Sequence, residues 1–169
     1  MHWASECPHK DEQDIKMNPE IILKLDSVML EDEHLTLLSS KTNNLALIDS
    51  GASKTVCGKR WFDTYESSLD VNDRKKIKEE ESMCQFRFGD GVVTKSNIVK
   101  IIPTTICGKD VAIKANVVDN DIPMLISRKT LGEAKAQLNF EKDTIEMAGV
   151  SQKLINTSSG HLAVPLVPH

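Results

Sequence analysis

One short segment of the sequence has residue types that suit acid–base chemistry, the tetrapeptide Asp49-Ser50-Gly51-Ala52. It follows the apolar run Leu45–Ile48, which predicts a strand ending in a tight turn. Such a turn would orient the carboxyl group of Asp49. The hydroxyl of Ser50 could form hydrogen bonds with its neighbours in the turn. Gly51 would allow the backbone to bend and to approach another group closely. An ordinary turn closed by an aspartate side chain would give the same three-residue pattern, so this interpretation stays open.

A second segment, Phe88-Gly89-Asp90-Gly91, lies about 40 residues downstream between two β-prone runs. Its two glycines predict a hairpin tip. It is not a phosphate-binding loop, because neither the GxxxxGK[ST] nor the GxGxxG pattern surrounds it.

The cysteines offer a weaker alternative. Cys57 could form a nucleophilic Cys–His pair with His34 or His161, but a buried thiol is the ordinary interpretation. The four cysteines, at wide and irregular spacing, do not form a disulfide framework. They favour reduced thiols in a cytoplasmic protein.

The elements that would position these residues are mostly strands. Short apolar runs between turn residues predict a small β barrel or sandwich, and one helix fits Ser127–Ala136. Residues 59–83 are rich in charge and predict a surface insertion with at most a helical turn or two. Pro103 and Gly108 predict breaks between strands. The further predicted strands are Ile21–Leu25, Leu35–Leu38, Cys84–Phe88, Val92–Ile102, Thr104–Cys107, Val111–Val118, Met124–Ile126 and a hairpin of Leu138–Phe140 with Thr144–Met147.

Length and composition limit the possible classes of protein. The chain has 169 residues, 40% of them hydrophobic, which suits one domain with an aliphatic core. Its net charge of -4 argues against a protein held on duplex DNA or a membrane surface by a basic field. No apolar run reaches the roughly 18 residues that a spanning helix needs. Residues 1–18 predict a flexible lead-in.

The motifs together resemble the retropepsin-like aspartic proteases of retroelements, over roughly residues 20–166. The family's active-site motif is an apolar pair followed by Asp-Ser/Thr-Gly-Ala, which Leu47–Ala52 matches at every position. Phe88–Gly91 falls where that family has its substrate-covering flap, and Met124–Ser127 resembles the apolar pair before the family's helix. Ser127 and Lys129 depart from most retroviral enzymes, and the segment Leu125–Ser127 is more similar to the Leu-Leu-Ser that copia-like transposon proteases have at this place.

The resemblance implies a fold and a site. The expected fold class is mostly β, a closed retropepsin-like barrel with one short C-terminal helix, in a protease domain at residues 19–169. The family's catalysis needs two aspartates that share a proton, and this chain has one Asp-Ser/Thr-Gly. The resemblance therefore implies a homodimer with Asp49 from each subunit, flaps at Phe88–Gly91, and no cofactor.

The first residues resemble half of a retroelement zinc knuckle, because His2 and Cys7 have its final His-x4-Cys spacing and Trp3 matches its stacking aromatic. Two ligands do not complete a zinc site, so no metal is expected, and nucleic acid would be a partner only if the complete knuckle were present upstream. Beside the protease motif, this half-motif suggests a segment of a Gag-Pol polyprotein, in the cytoplasm or a virus-like particle.

The sequence thus predicts an aspartic endopeptidase that processes its own polyprotein, with no membrane partner. Two alternatives remain open. Ser127, Lys129 and the charged insertion are also compatible with a domesticated or inactive retropepsin fold that dimerises or binds peptide. A nucleic-acid-binding fragment acting through the half-knuckle is opposed by the acidic charge and the missing ligands.

Overall fold

The computed structural model describes residues 44–89 and 91–167. Several predicted features lie outside these ranges and stay predictions. They are the lead-in with His2 and Cys7, the two strands at 21–25 and 35–38, and Asp90 in the hairpin tip.

The described part of the chain is mostly β, as predicted, with eleven strands and three helices. The strands are β1 (Leu45–Asp49), β2 (Val56–Gly58), β3 (Lys78–Arg87), β4 (Val93–Ile106), β5 (Lys109–Val118), β6 (Met124–Ser127), β7 (Gln137–Asn139), β8 (Thr144–Met147), β9 (Val150–Lys153), β10 (Ile155–Asn156) and β11 (Leu162–Pro165). The helices are α1 (Lys59–Ser68), α2 (Val71–Lys76) and α3 (Arg128–Glu133).

Eight strands form one sheet in the order β10-β11-β1-β6-β2-β5-β4-β3, and β7-β8-β9 form a second, three-stranded sheet. Two pairs within the large sheet are parallel, β1 with β6 and β2 with β5. In the first pair Asp49 lies opposite Ser127, the residue before α3. The parallel strands β1 and β6 therefore place the aspartate and the start of α3 side by side at their C-terminal ends.

The expected closed barrel is wrong for the described residues, because the large sheet is open. Its edges are β3 and β10, and no pairing joins them. The physical reason lies in the edge strands: β10 has only two residues, while none of the ten residues of β3 is buried and its first four are exposed on both faces. A strand with exposed residues on both faces has little apolar surface with which to close a barrel.

The prediction that residues 59–83 form a surface insertion is wrong for the first part of that segment. Helix α1 buries Trp61, Phe62 and Tyr65 in the core, and the rings of Trp61 and Tyr65 stack with centroids 5.3 Å apart. Residues one turn apart lie on the same face of a helix, so this spacing places the aromatics together against the sheet. The expectation of a single helix is also wrong, because α1 and α2 both lie in this segment.

The predicted helical turn is present as α2, whereas the charged run that follows it is a strand. Residues 78–82 begin β3, which pairs antiparallel with β4. Across this part of the sheet Glu79 contacts Lys100 at 2.7 Å and Glu80 contacts Lys114 at 3.1 Å. Charged side chains on an edge strand also oppose pairing with another sheet edge, which is consistent with this position.

Other expectations are mostly confirmed. Helix α3 begins after Ser127, whose side chain accepts a hydrogen bond from the Thr130 amide, and it ends before Lys135, which has a left-handed φ of 51°. The hairpin of β7 and β8 is present, with β9 added. Pro103, however, lies inside β4, where β3 has already ended its pairing at Ile101. A proline is tolerated there because no neighbouring strand on that side needs its missing N–H.

We predict that Gly58→Ala destabilises the fold, because a methyl group at Gly58 would lie 2.7 Å from the carbonyl oxygen of Ile122 and would also meet Asn120. Backbone atoms cannot move away as a flexible side chain could, so the free energy of unfolding should fall by about 2 kcal/mol or more. Chemical denaturation measures this change. Gly132→Ala is the matched control, since its methyl group would meet no atom within 4 Å and helix α3 favours alanine by up to about 1 kcal/mol. Equal stability of Gly58→Ala and the wild type would contradict the packing described.

Candidate active site

The carboxyl group of Asp49 is fixed by the backbone that follows it. Its Oδ1 accepts hydrogen bonds from the amide of Gly51 at 2.9 Å and from the amide of Ala52 at 3.1 Å. Ala52 N also donates to the backbone oxygen of Asp49 at 3.3 Å, which closes the turn. Among the described residues no hydrogen bond reaches Oδ2. One carboxylate oxygen is thus held by the protein while the other remains available to a water or a second acid.

A small residue at position 51 avoids crowding of the Asp49 side chain. Gly51 has no left-handed φ, but a methyl group there would lie 3.3 Å from Asp49 Oδ1, tighter than nearly all such contacts. The sequence pattern predicted close approach at Gly51, and the group approached is the aspartate itself. Ser50 is exposed at the tip of the turn. The pattern of an aspartate-closed turn is therefore present, and it holds a half-buried acid at the end of a core strand.

A cluster of hydroxyl groups, formed by the buried Thr55 and Ser127 and the half-buried Thr130, lies behind this turn. Thr55 Oγ1 accepts a hydrogen bond from the Ser127 amide at 3.0 Å and lies 2.8 Å from Thr130 Oγ1. The Arg128 amide donates to the carbonyl of Ala52 at 3.3 Å. These bonds attach the loop that carries Asp49 to the first turn of α3. Sequence reasoning missed Thr55, because a buried threonine that ties two loops has no distinctive pattern in sequence.

A cleft of about 340 Å³ opens beside Asp49. Both predicted functional segments contribute to it: Asp49, Gly51 and Ala52 from the turn, and Phe88 and Gly89 from the hairpin. The remaining lining residues are Ser53, Lys54, Val56, Gln85, Phe86, Arg87 and Leu125. The fold thus brings the aspartate within one concave site with a hairpin about 40 residues away in sequence.

The hairpin wall of the cleft is aromatic. Phe86 and Phe88 are two residues apart on β3 and its continuation, so they share a face, and their rings stack with centroids 6.3 Å apart. The Gly91 amide donates to the carbonyl of Phe88 at 2.9 Å, and Gly91 has a φ of 76° that favours glycine. The hairpin tip predicted from the glycines is therefore a tight turn. Half-buried and exposed residues alternate in the second half of β3, where the strand Cys84–Phe88 was predicted.

A lysine and a cysteine meet in the same region. Lys54 Nζ lies 2.9 Å from Cys84 Sγ, and Ser82 Oγ lies 3.4 Å from the same sulfur. The hydrogen bond from the Lys54 ammonium, aided by the one from Ser82, lowers the pKa of the Cys84 thiol below its ordinary value. Cys84 is half-buried and belongs to the face of β3 that carries Phe86.

Cys57, the alternative nucleophile, is a core residue. It is fully buried, and burial, aided by the nearby charge of Asp63, raises the pKa of its thiol to about 12. Such a thiol stays protonated at neutral pH and is a weak nucleophile. His161 bonds to Ser159 through Nδ1 at 2.9 Å, and His34 lies outside the described residues.

Residues 44–89 and 91–167 contain neither a metal-binding group of side chains nor a helix suited to span a membrane. No group of three or more histidine, cysteine, aspartate or glutamate side chains there could hold a metal ion. No helix in these ranges is long and apolar enough to cross a membrane.

Comparison with known proteins gives little beyond this geometry. No protein-family profile matches the sequence, and none of the curated proteins matches it. Among solved structures, the chain is similar to the retroviral protease-like domain of Ddi1 from Leishmania major, with 12% identity and a TM-score of 0.35. That likeness covers 74% of this chain and 88% of the other. At these values it concerns at most the arrangement of the backbone.

We predict that Cys84 reacts with iodoacetamide at lower pH than an ordinary thiol, because a lowered pKa gives a larger thiolate fraction below that pKa. Lys54→Met should move the pH profile of Cys84 alkylation to higher pH, since it removes the larger cause of the lowering. Mass spectrometry of the peptide that contains Cys84 measures the rate. Lys109→Met, which changes an exposed lysine outside the cleft, is the control. An identical Cys84 profile in wild type and Lys54→Met would show that the two side chains do not meet.

Proposed function

We propose that this chain is an aspartic endopeptidase of the retropepsin type, and that Asp49 is its catalytic residue. The observation that carries the proposal is the carboxylate of Asp49, oriented through one oxygen by two backbone amides and placed in a cleft under a hairpin. An acid held in this way can accept or donate a proton at a fixed point, which peptide hydrolysis requires.

The reaction needs two such acids in one site. One carboxylate takes a proton from the attacking water, while the other, protonated, donates a hydrogen bond to the scissile carbonyl. The sequence contains Asp-Ser-Gly once, and Asp-Thr-Gly does not occur. A second Asp49 from another copy of the chain would complete the pair, so we propose a homodimer with the site on its two-fold axis. The free Oδ2 would face the partner's carboxylate and the water.

The substrate would be an extended polypeptide. The cleft joins apolar wall residues, Val56, Phe86 and Leu125, with the polar turn that carries Asp49. Phe88, Gly89, Asp90 and Gly91 would act as the flap that covers the peptide, excludes water and offers backbone hydrogen bonds. The hydrogen bond from the Gly91 amide to the Phe88 carbonyl supports a hairpin tip at this place.

The biological context is the finer part of the proposal. We infer a copia-like retroelement and its Gag-Pol polyprotein as the substrate, from the Leu-Ile-Ser before α3 and from the half-knuckle residues His2 and Cys7. The site of action would be the cytoplasm or a virus-like particle. No cofactor takes part in this mechanism, and nucleic acid would bind only through a complete knuckle.

We predict that Asp49→Asn lowers the rate of peptide cleavage at least about a hundredfold, because an amide cannot exchange a proton with water as the carboxylate does. The assay uses a fluorogenic peptide set, with a pepstatin-type inhibitor added to wild type as a second control. Thermal melting should show that Asp49→Asn folds, since the amide oxygen can still accept from Gly51 and Ala52.

Other results would decide against the proposal. Cleavage by Asp49→Asn at the wild-type rate would remove Asp49 from the catalytic site. Wild type that binds peptides without cleaving any would favour the alternative function, an inactive retropepsin fold that binds peptide or dimerises.

A further inference from the structure

The charge inside the cleft is opposite in sign to that of the whole chain. The chain has 25 acidic and 21 basic residues, yet Asp49 is the only carboxylate among the described residues that line the cleft. Two cations, Lys54 and Arg87, line it as well. A concave site with an excess of one charge attracts ligands of the other charge, because its walls focus the field.

Lys54 is bound to a poor acceptor. Its ammonium meets the sulfur of Cys84 at 2.9 Å, and within residues 44–89 and 91–167 it forms no ion pair with a carboxylate. A thiol is a weak hydrogen-bond acceptor, whereas a carboxylate forms a charge-assisted bond that is about twice as strong as a neutral one. An incoming carboxylate would therefore displace the sulfur as partner of the ammonium at little cost.

The position of Lys54 along the chain suits contact with a bound peptide. Five residues lead from Asp49 to Lys54, so their Cα atoms lie at most about 17 Å apart, the length of about five residues of extended chain. Lys54 approaches Cys84, and Cys84 shares its strand face with Phe86, an aromatic wall of the cleft. A peptide that passes Asp49 and the aromatic wall would come within reach of the ammonium.

We propose that Lys54 determines specificity by binding an acidic side chain of the peptide substrate, a few residues from the bond that is cleaved. The inference rests on the proposed endopeptidase function and names its substrate class, peptides with an aspartate or glutamate near the scissile bond. The bound acid takes the place of Cys84 at the ammonium, and Arg87 adds to the positive potential of the site.

The test is a positional scan with the full chain. A cleaved octapeptide is resynthesised with glutamate and, separately, with glutamine at each position in turn, so that shape is kept and charge is changed. For wild type, kcat/KM at one position should be about threefold or more higher with glutamate than with glutamine. High salt should reduce this ratio, since ionic contacts near the surface are screened.

Three variants assign the preference to Lys54. In Lys54→Gln the glutamate-to-glutamine ratio at that position should fall to about one, and in Lys54→Glu it should fall below one, with a lysine peptide now preferred. Lys109→Glu introduces the same change of charge at an exposed site outside the cleft and should keep the wild-type ratio. If net charge alone caused the preference, the glutamate-to-glutamine ratio would change equally in Lys54→Glu and Lys109→Glu.

The outcomes separate this inference from the function on which it rests. If wild type cleaves peptides with no position that favours glutamate, or if Lys54→Glu keeps the wild-type preference, the inference is overturned and the endopeptidase stands. If wild type cleaves no peptide, the proposed function fails. The same ratio is then measured as Kd by fluorescence anisotropy, with glutamate and glutamine versions of an octapeptide that wild type binds. A threefold preference lost in Lys54→Gln supports the Lys54 site, and equal Kd values overturn it.

Discussion

The candidate site depends on one interaction, the pair of backbone hydrogen bonds that hold Asp49 Oδ1. Hydrogen bonds to a charged group contribute about 1.5–3 kcal/mol each, enough to fix one carboxylate orientation. They form because the chain turns back on itself directly after Asp49, where a methyl group at position 51 would lie only 3.3 Å from Oδ1. The parallel pairing of β1 with β6 then sets where the turn lies, beside the start of α3 at the C-terminal ends of the two strands. Every other feature of the site, including the hydroxyl cluster behind it, stabilises this arrangement or encloses it.

A single oriented acid per chain has a consequence for the whole molecule. Peptide hydrolysis by a pair of aspartates needs one carboxylate ionised and the other protonated. Two ionised carboxylates at close range repel each other, so the pair shares one proton. The proposed second acid therefore comes from a second copy. Under this proposal the turn that carries Asp49 faces a partner chain, and the cleft described for one chain is half of the working site. Lys54 would be present twice, once on each side of the cleaved bond.

Sequence reasoning predicted the features that follow from local pattern. The strand before Asp49, the hairpin tip near Gly91 and the N-cap at Ser127 all rest on short-range residue preferences, and the structure has them. The burial of α1 was missed because this helix has more charged residues than aromatic ones, although Trp61, Phe62 and Tyr65 have the spacing of one helix face. The second half of β3 was predicted as Cys84–Phe88, but its first residues, 78–83, were missed. Their glutamates pair with Lys100 on β4 and Lys114 on β5, a long-range pairing that no local pattern reveals. The contact of Lys54 with Cys84 joins residues 30 positions apart and was unpredictable for the same reason.

Mixing wild-type chains with Asp49→Asn chains tests the central claim most directly, because it asks whether two aspartates from two chains form one site. Both are unfolded, combined at equal amounts and fixed total concentration, and refolded together before peptide cleavage is measured. If each site needs Asp49 from both copies, random pairing leaves about a quarter of the dimers active, and activity follows the square of the wild-type fraction. Activity that falls in simple proportion to the wild-type fraction would mean that one Asp49 suffices, and the account of a shared catalytic pair would be wrong.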